Sequence, residues 1–547
     1  MRYYQLSGIS LLIAVPLYSL EKLLVPPWDD IRVKHTWNAV PPNWETLGDP
    51  PAGTTIDLHV ALMPHNENAL IDELYEVSVP GSPKRVFCHS PRTMYSRVPL
   101  LHCRYGAHLS REQVAELVAP HQDTLELVNS WLKYHDVPTS AISTAQGGSW
   151  VMLTGVPVSQ ANELLGASYQ LYRSTGMNGI TILRTVGYSL PAVVHAHVRT
   201  VVPTTHFSMR PLWQTSRKLS VNATADLTSR DTTKNEVKPA DVRWLYKTFA
   251  YLPAAKGQNM LGIAAYENDY PSPADLARFM TEYRTDGIAA TFDVKKVNNG
   301  GYEPNSPTTE GNLNIQWAQA MAYPTPHTFY STGGEMLFIP GTNEPAEGDM
   351  WLEWLKYMLL LEKVPQTIST SYAVPEKIMP KEYATTLCNM FAQLGSRGVS
   401  LLFASGNDGV GNGDCKADDG SGKIQFVPFF PASCMCLFFI PPWKRYTAAD
   451  IFHSPHRYVF AGPFVTSVGG TTGGTTGSTS GGTSISNPEV AAGLSGGGFS
   501  NFFEPEEYQM DAVNDFLQQL GSKYSGLYKC AFCCDLTGLL LNCWSFV

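Results

Sequence analysis

The sequence predicts an α/β protein, with a parallel sheet in its larger part and a small α+β domain ahead of it. Two stretches predict the sheet. "ATTLCNMFAQLGSRGVSLLFASGNDGVG" reads as a long helix, then the continuous apolar strand "GVSLLFAS", then a Gly-rich turn. "GQNMLGIAAYENDYPSPADLARFMTEYR" reads as an apolar strand, a Pro-containing turn and a helix that Ser272 can cap. Strands that are apolar throughout belong to parallel sheets, whose ligand sites form at the strand ends. A third stretch, "GSWVMLTGVPVSQANELLGASYQLY", reads as a strand, a helix from Ser159 and a second strand. Such a βαβ-like unit suits the smaller domain.

The 547 residues exceed what one hydrophobic core fills, so two folded units are expected. At the start, Arg2 precedes an apolar run that Pro16 interrupts, the layout of a secretory signal peptide over residues 1–22. The run is too short for a membrane span, which takes ~20 apolar residues. From about Val33 to Arg199 helical and strand patterns mix, and "SREQVAELVAPHQDTLELVNSWLKYHDVP", with Ser110 and Glu112 at its opening, reads as one or two amphipathic helices. Residues 201–240 lose apolar periodicity and fill with Thr, Ser, Lys and Arg, as a linker or processing segment does. They contain the glycosylation sequon Asn222-Ala223-Thr224, in keeping with secretion. Lys and Arg number 39 against 48 Asp and Glu, a net charge of -9 that excludes the basic footprint of a nucleic-acid binder.

Three positions invite a chemical reading. Glu310 opens "EGNLNIQWAQAMA", a helix in which Glu310 and Asn314 share one face at i and i+4. Taken alone, a Glu in a first turn is more often a partner of the helix dipole than a catalyst. Asn407 and Asp408 follow the buried strand within glycines, where an amide or carboxyl could donate to an oxyanion or simply form a turn. Ser484, in "GTSIS", has the Gly-Thr-Ser setting of some peptidase nucleophiles. It nevertheless lies in a Gly/Thr/Ser run without apolar periodicity, which reads as a flexible surface loop. The same run, residues 469–483, lacks the Lys of a phosphate-binding P-loop.

Considered together, "YGAHLSREQVAELVAPHQDTLELVNSWL", "GVPVSQANELLGASYQLY", "TEGNLNIQWAQAMAYPTPHTFYSTGG", "VPQTISTSYA", "LLFASGNDGVG", "PFVTSVGGT" and "PEVAAGLSGGGFSNFF" resemble, in order, the sedolisin family of serine-carboxyl peptidases, and among them the secreted fungal tripeptidyl peptidases. The resemblance spans about Val33 to Tyr528. It implies a ferredoxin-like activation prodomain over residues 33–200, which assists folding and blocks the site. A subtilisin-like α/β peptidase domain over 241–547, a Ser-Glu-Asp triad and bound calcium are also implied. Glu310 matches the general base, and a carboxylate can serve as base in acid, where a His would be protonated. Ser371, Tyr372, Ser495, Gly496 and Gly497 match the substrate cleft. The partners implied are peptide or protein substrates and the chain's own prodomain, for a secreted monomer that engages neither nucleic acid nor membrane.

The chain departs from the family at several positions. The second triad carboxylate falls on Asn314, which carries no charge and cannot share a proton with Glu310. The oxyanion carboxylic acid falls on Asn407, whose amide can still donate. Where the family reads Ser-Tyr-Gly-Asp, this chain reads Ser371-Tyr372-Ala373-Val374. The family's Gly-Thr-Ser lies well downstream of "SGGGFSN" and opens a helix, whereas here "KCAFCCDLTGLLLNCWSFV" follows. On this reading neither the nucleophilic Ser nor the calcium ligands are present. The resemblance then implies a chain that is C-terminally truncated and inactive, or a pseudo-peptidase that only binds peptide or its own prodomain.

Of the 10 cysteines, Cys388, Cys415 and Cys434 lie in family-like sequence, and Cys415 and Cys434 could pair in an oxidising compartment. The others, Cys88, Cys103, Cys436, Cys530, Cys533, Cys534 and Cys543, lie in stretches without family counterpart: 85–104, 435–462 and the tail 529–547. Excising Met435 to Gly462 restores "FPASCPFVTSVGGT", so these stretches read as translated introns. The C-x-x-C-C of the tail has no second pair to complete a zinc site.

Overall fold

The computed structural model describes residues 27–78, 105–175, 180–207, 237–334 apart from 256 and 267, 349–410, 423–434, 464–472, 476–479, 482–485 and 490–503, with single positions up to 519. The expected signal peptide, the sequon, the three non-family stretches and eight of the ten cysteines lie outside the described residues.

The first unit is built on β1 (Thr55–Leu62), β2 (Ile142–Ala145), β3 (Trp150–Pro157) and β4 (Val198–Val202), an antiparallel sheet in the order β2-β3-β1-β4. Strand β1 alternates as a half-buried strand should, burying Ile56, Leu58 and Val60 on one face. Helices α1 (Ala69–Ser78), α2 (Arg111–Leu117) and α3 (Gln122–Tyr134) lead from β1 to β2, and α4 (Val158–Leu165) leaves β3. This is the βαββαβ succession of a ferredoxin-like domain. Ser110 caps α2, and Gln113 closes a capping box with it.

Two expectations change here. The strand after α4, Gln170–Ser174, does not return to the β3 sheet. It pairs with Trp44–Gly48 and Thr181–Arg184 in a separate sheet. The left-handed Gly166 (φ 51°) ends α4 and redirects the chain, and Tyr172 then packs with Trp44 and Phe207. Residues 201–207, read from sequence as the start of the linker, instead bury Val201, Val202 and Phe207 in this unit.

The second unit is a six-stranded parallel sheet. Its strands are β5 (Leu261–Ala265), β6 (Phe292–Val297), β7 (His327–Thr332), β8 (Thr367–Thr370), β9 (Ser400–Ala404) and β10 (Thr466–Val468), in the order β6-β7-β5-β8-β9-β10. Helix α5 (Pro273–Tyr283) follows β5 and is capped by Ser272 as expected, with α6 (Thr309–Ala322), α7 (Met350–Leu360) and α8 (Lys381–Ser396) completing the layers. Trp351, Trp354, Leu355 and Met358 of α7 and Phe391 of α8 bury against Ile263, Ile368 and Phe403 of the sheet. The α/β class and its parallel sheet are therefore as predicted, consistent with a subtilisin-like domain.

A disulfide joins Cys388 of α8 to Cys434. This corrects the expected Cys415–Cys434 pairing: α8 carries Cys388 inward, where 46 residues of separation vanish in space. Cys415 is outside the described residues.

The two units share one continuous core, in which α1 lies along α8 and Leu70 and Leu74 join the peptidase residues. Polar contacts border it. Leu109 N–H donates to Ser396 O (2.9 Å), and Arg111 Nη1 donates to Leu360 O (3.0 Å). His206 pairs with Asp349 (3.2 Å), and Lys356 Nζ meets His59 Nδ1 (2.8 Å). Among the described residues no helix is long and apolar enough to cross a membrane.

Candidate active site

The loops that leave β5, β8, β9 and β10 emerge at the C-terminal edge of the parallel sheet, where sites of open α/β sheets form. Helix α6 presents its N-terminus there. Thr308 caps it, its Oγ1 accepting from Gly311 N (3.1 Å). The loop after β5 is strapped across this first turn: Thr308 N donates to Tyr270 O (2.9 Å) and Tyr270 N donates to Thr308 Oγ1 (3.1 Å). The approach is so close that a Cβ on Gly311 would stand 2.4 Å from Tyr270 backbone atoms, so only glycine fits. Glu310 is thereby buried, 1% exposed, at the positive end of the helix.

Asn314 lies one turn on. Its Oδ1 accepts from Ser371 Oγ (2.8 Å) at the end of β8, and its Nδ2 is buried without a partner among the described residues. Glu310 and Asn314 thus share one face of α6, and Asn314 is tied to Ser371. Tyr372 is different. It is 0% exposed, its ring meets Tyr266 edge-on, and its hydroxyl donates to Asp269 Oδ2 (2.6 Å), itself 1% exposed. Read from sequence as a peptide contact, Tyr372 is a buried prop of the loop after β5, and Ala373 and Val374 are buried beside it.

Asn407 lies half-buried in the turn after β9, and this turn is sewn to Ser495–Gly497. Gly496 N donates to Gly406 O (2.8 Å), Gly409 N donates to Leu494 O (2.9 Å), and Ser495 Oγ accepts from Gly470 N (2.9 Å). A Cβ on Gly496 would stand 1.9 Å from Ser405 O, which is why the run is glycine there. Asn407 and the Ser495–Gly497 run therefore form one wall of the edge.

Ser484 is placed otherwise than expected. It is not in a structureless loop: Thr476–Thr479 and Gly482–Ile485 pair antiparallel, with Ser484 opposite Gly477. Thr-rich segments favour extended backbone. Ser484 does not open a helix. Among the described residues no group of three or more His, Cys, Asp and Glu could hold a metal ion.

Two carboxylates escaped the sequence reading, Asp269 and Glu376, 1% and 0% exposed. The only signal was an acidic residue just beyond an apolar strand, in "AAYENDY" and "TSYAVPE".

Residues 100–207 match the Pro-kumamolisin activation domain. The probable tripeptidyl-peptidase SED3 of Arthroderma benhamiae is 30% identical over 506 residues, covering 90% of this chain and 73% of that protein. The chain belongs to the sedolisin family of tripeptidyl peptidases. The probable tripeptidyl-peptidase SED2 of the same organism is 29% identical over 506 residues, with 89% of this chain and 73% of the relative covered. Pseudomonas sedolisin, a serine-carboxyl proteinase solved with pseudo-iodotyrostatin, aligns over 50% of this chain and 66% of its own at 17% identity, with a TM-score of 0.31. In this sedolisin chain the matched residues hold α2, α3 and α4 and strands β2, β3 and β4 of the antiparallel unit.

Proposed function

We propose that this sedolisin is the secreted zymogen form of an acid-range tripeptidyl peptidase, and that the 547-residue chain binds peptide N-termini without hydrolysing them. The observation that carries the reading is Glu310, buried at the capped start of α6 with Asn314 tied to Ser371 one turn above. A carboxylate there can take the proton of an attacking hydroxyl in acid, where an imidazole would be protonated. The amide of Asn407 can donate to the developing oxyanion, a contribution of roughly 3 kcal/mol in such sites. The run from Ser495 to Gly497 offers backbone groups to an extended peptide.

Two features favour binding over turnover. Asn314 carries no charge and cannot share a proton with Glu310, as a carboxylate at that position would. Ser484 of the Gly-Thr-Ser lies in a paired strand rather than at a helix start, and a Ser that is not placed for attack forfeits on the order of 10⁶ in turnover.

The test is calorimetric titration, after incubation at about pH 4 to release the prodomain, with a peptide bearing a free N-terminus and with its N-acetylated twin. Saturable binding of the free peptide alone supports the reading, and no binding of either contradicts it.

A further inference from the structure

Glu376 is 0% exposed, in a single 3-10 turn (Glu376–Ile378) beyond the buried Val374 and Pro375, which pair with Phe430 and Phe429. Its own N–H donates to Pro428 O (2.9 Å), which fixes the turn to that ladder. Both carboxyl oxygens face a different part of the chain. Ser500 Oγ donates to Oε1, and Asn501 N donates to Oε2 (2.6 Å). Ser500 Oγ in turn accepts from Phe502 N (3.1 Å) and Phe503 N (2.9 Å), and Gln425 Nε2 donates to Asn501 Oδ1 (3.0 Å). One side chain therefore gathers the segment that ends the Ser495–Gly497 run.

That segment is rigidly joined to the turn carrying Asn407 through the Gly496–Gly406 and Gly409–Leu494 backbone bonds. We propose that Glu376 is a positioning residue, which holds the 494–503 wall in place and, through it, the 405–409 turn that carries the candidate oxyanion donor. A carboxylate suits this task. It offers two acceptor atoms in a fixed plane to two neighbouring donors, which a hydroxyl or an alkyl side chain cannot.

Protonation does not undo the clamp. A neutral carboxyl still accepts from Ser500 and Asn501 and can turn its proton toward the buried Ser433 hydroxyl, while Ser500 Oγ keeps its two N–H donors. The groups facing Glu376 are hydroxyls and amides, those of Ser433, Ser500, Asn501 and Phe502, with no charged partner among them. Burial accordingly pushes its carboxyl above the usual range, against the hydrogen bonds from Ser500 and Asn501. A closed wall thus keeps its proton to higher pH than an opened one. The clamp is fully stabilised below the ordinary carboxylate value and loses strength as pH rises from there through the raised one.

The inference rests on the peptidase reading only for what the wall borders, so its test needs no turnover or peptide. Hydrogen exchange of the full chain, corrected for intrinsic rates, is followed over 405–410 and 494–503 from about pH 4 to about pH 7. Glu376→Ala is expected to speed exchange in both stretches about tenfold while the sheet of the first unit stays protected. In the unaltered chain protection of both stretches should fall as pH rises, and in Glu376→Gln, a neutral isostere that folds without a buried charge, the profile should be flat. Exchange in Glu376→Ala within about twofold of the unaltered chain, loosening spread evenly over both units, or a Glu376→Gln profile that matches the unaltered chain would each overturn the proposal.

Discussion

Lys356 Nζ lies 2.8 Å from Nδ1 of His59, so α7 of the peptidase unit and β1 of the prodomain meet where an uncharged imidazole accepts from an ammonium. Glu353 is 2.9 Å from the same ammonium and 3.9 Å from His59. Burial, and then the Lys356 charge, hold His59 down at about 3. An undocked His59 would take a proton near its ordinary value of 6.5, whereas the docked one would not. Docking is therefore fully stabilised above that ordinary value and weakens as pH falls, by ~1.4 kcal/mol per unit, until the docked ring also protonates. His59→Gln, which keeps an acceptor but not the titration, should flatten this slope by one proton. The check is the thermal midpoint of docking across the acid range, and an unchanged slope contradicts it.

Gly311→Ala should destabilise the chain by about 1–3 kcal/mol, because the new methyl must displace the Tyr270 backbone. The strap over α6 would shift, and Glu310 would gain exposure. Denaturant melts of the two proteins measure the loss.

Tyr372→Phe removes a hydrogen bond to buried Asp269, and a buried hydrogen bond contributes about 0.5–1.5 kcal/mol net. A comparable loss in thermal unfolding is expected. A cost near zero would mean that Tyr372 is a surface contact, as its sequence position suggested.

Cys388 and Cys434 should appear cross-linked in a non-reducing peptide digest. In the chain-entropy account a loop of 46 residues is stabilised by about 4 kcal/mol. Cys388→Ala should lower the unfolding midpoint accordingly, and a Cys415–Cys434 peptide in the digest would contradict the assignment.

These residues mark where sequence was informative. The β5-turn-α5 unit with its Ser272 cap and the strand before Asn407 were legible, because caps and continuous apolar runs are local signals. The position of Glu310 in a helix start was legible for the same reason. Strand order, the partner of Cys388 and the route of Gln170–Ser174 were not, since each depends on contacts distant in sequence. Tyr372 and Glu376 were misread or missed because burial of a polar side chain is decided by its distant acceptors and donors, here Asp269, Ser500 and Asn501. Ser484 looked structureless because a Thr/Gly run has no apolar alternation, yet strand pairing needs only backbone groups.

The measurement that bears most directly on the account is release of tripeptides from a free-N-terminal peptide by the acid-incubated 547-residue chain at about pH 4, with Ser484→Ala and Glu310→Gln in parallel. The account predicts no release above background from any of the three. Release by the unaltered chain that Ser484→Ala abolishes would place the nucleophile at Ser484 and contradict it.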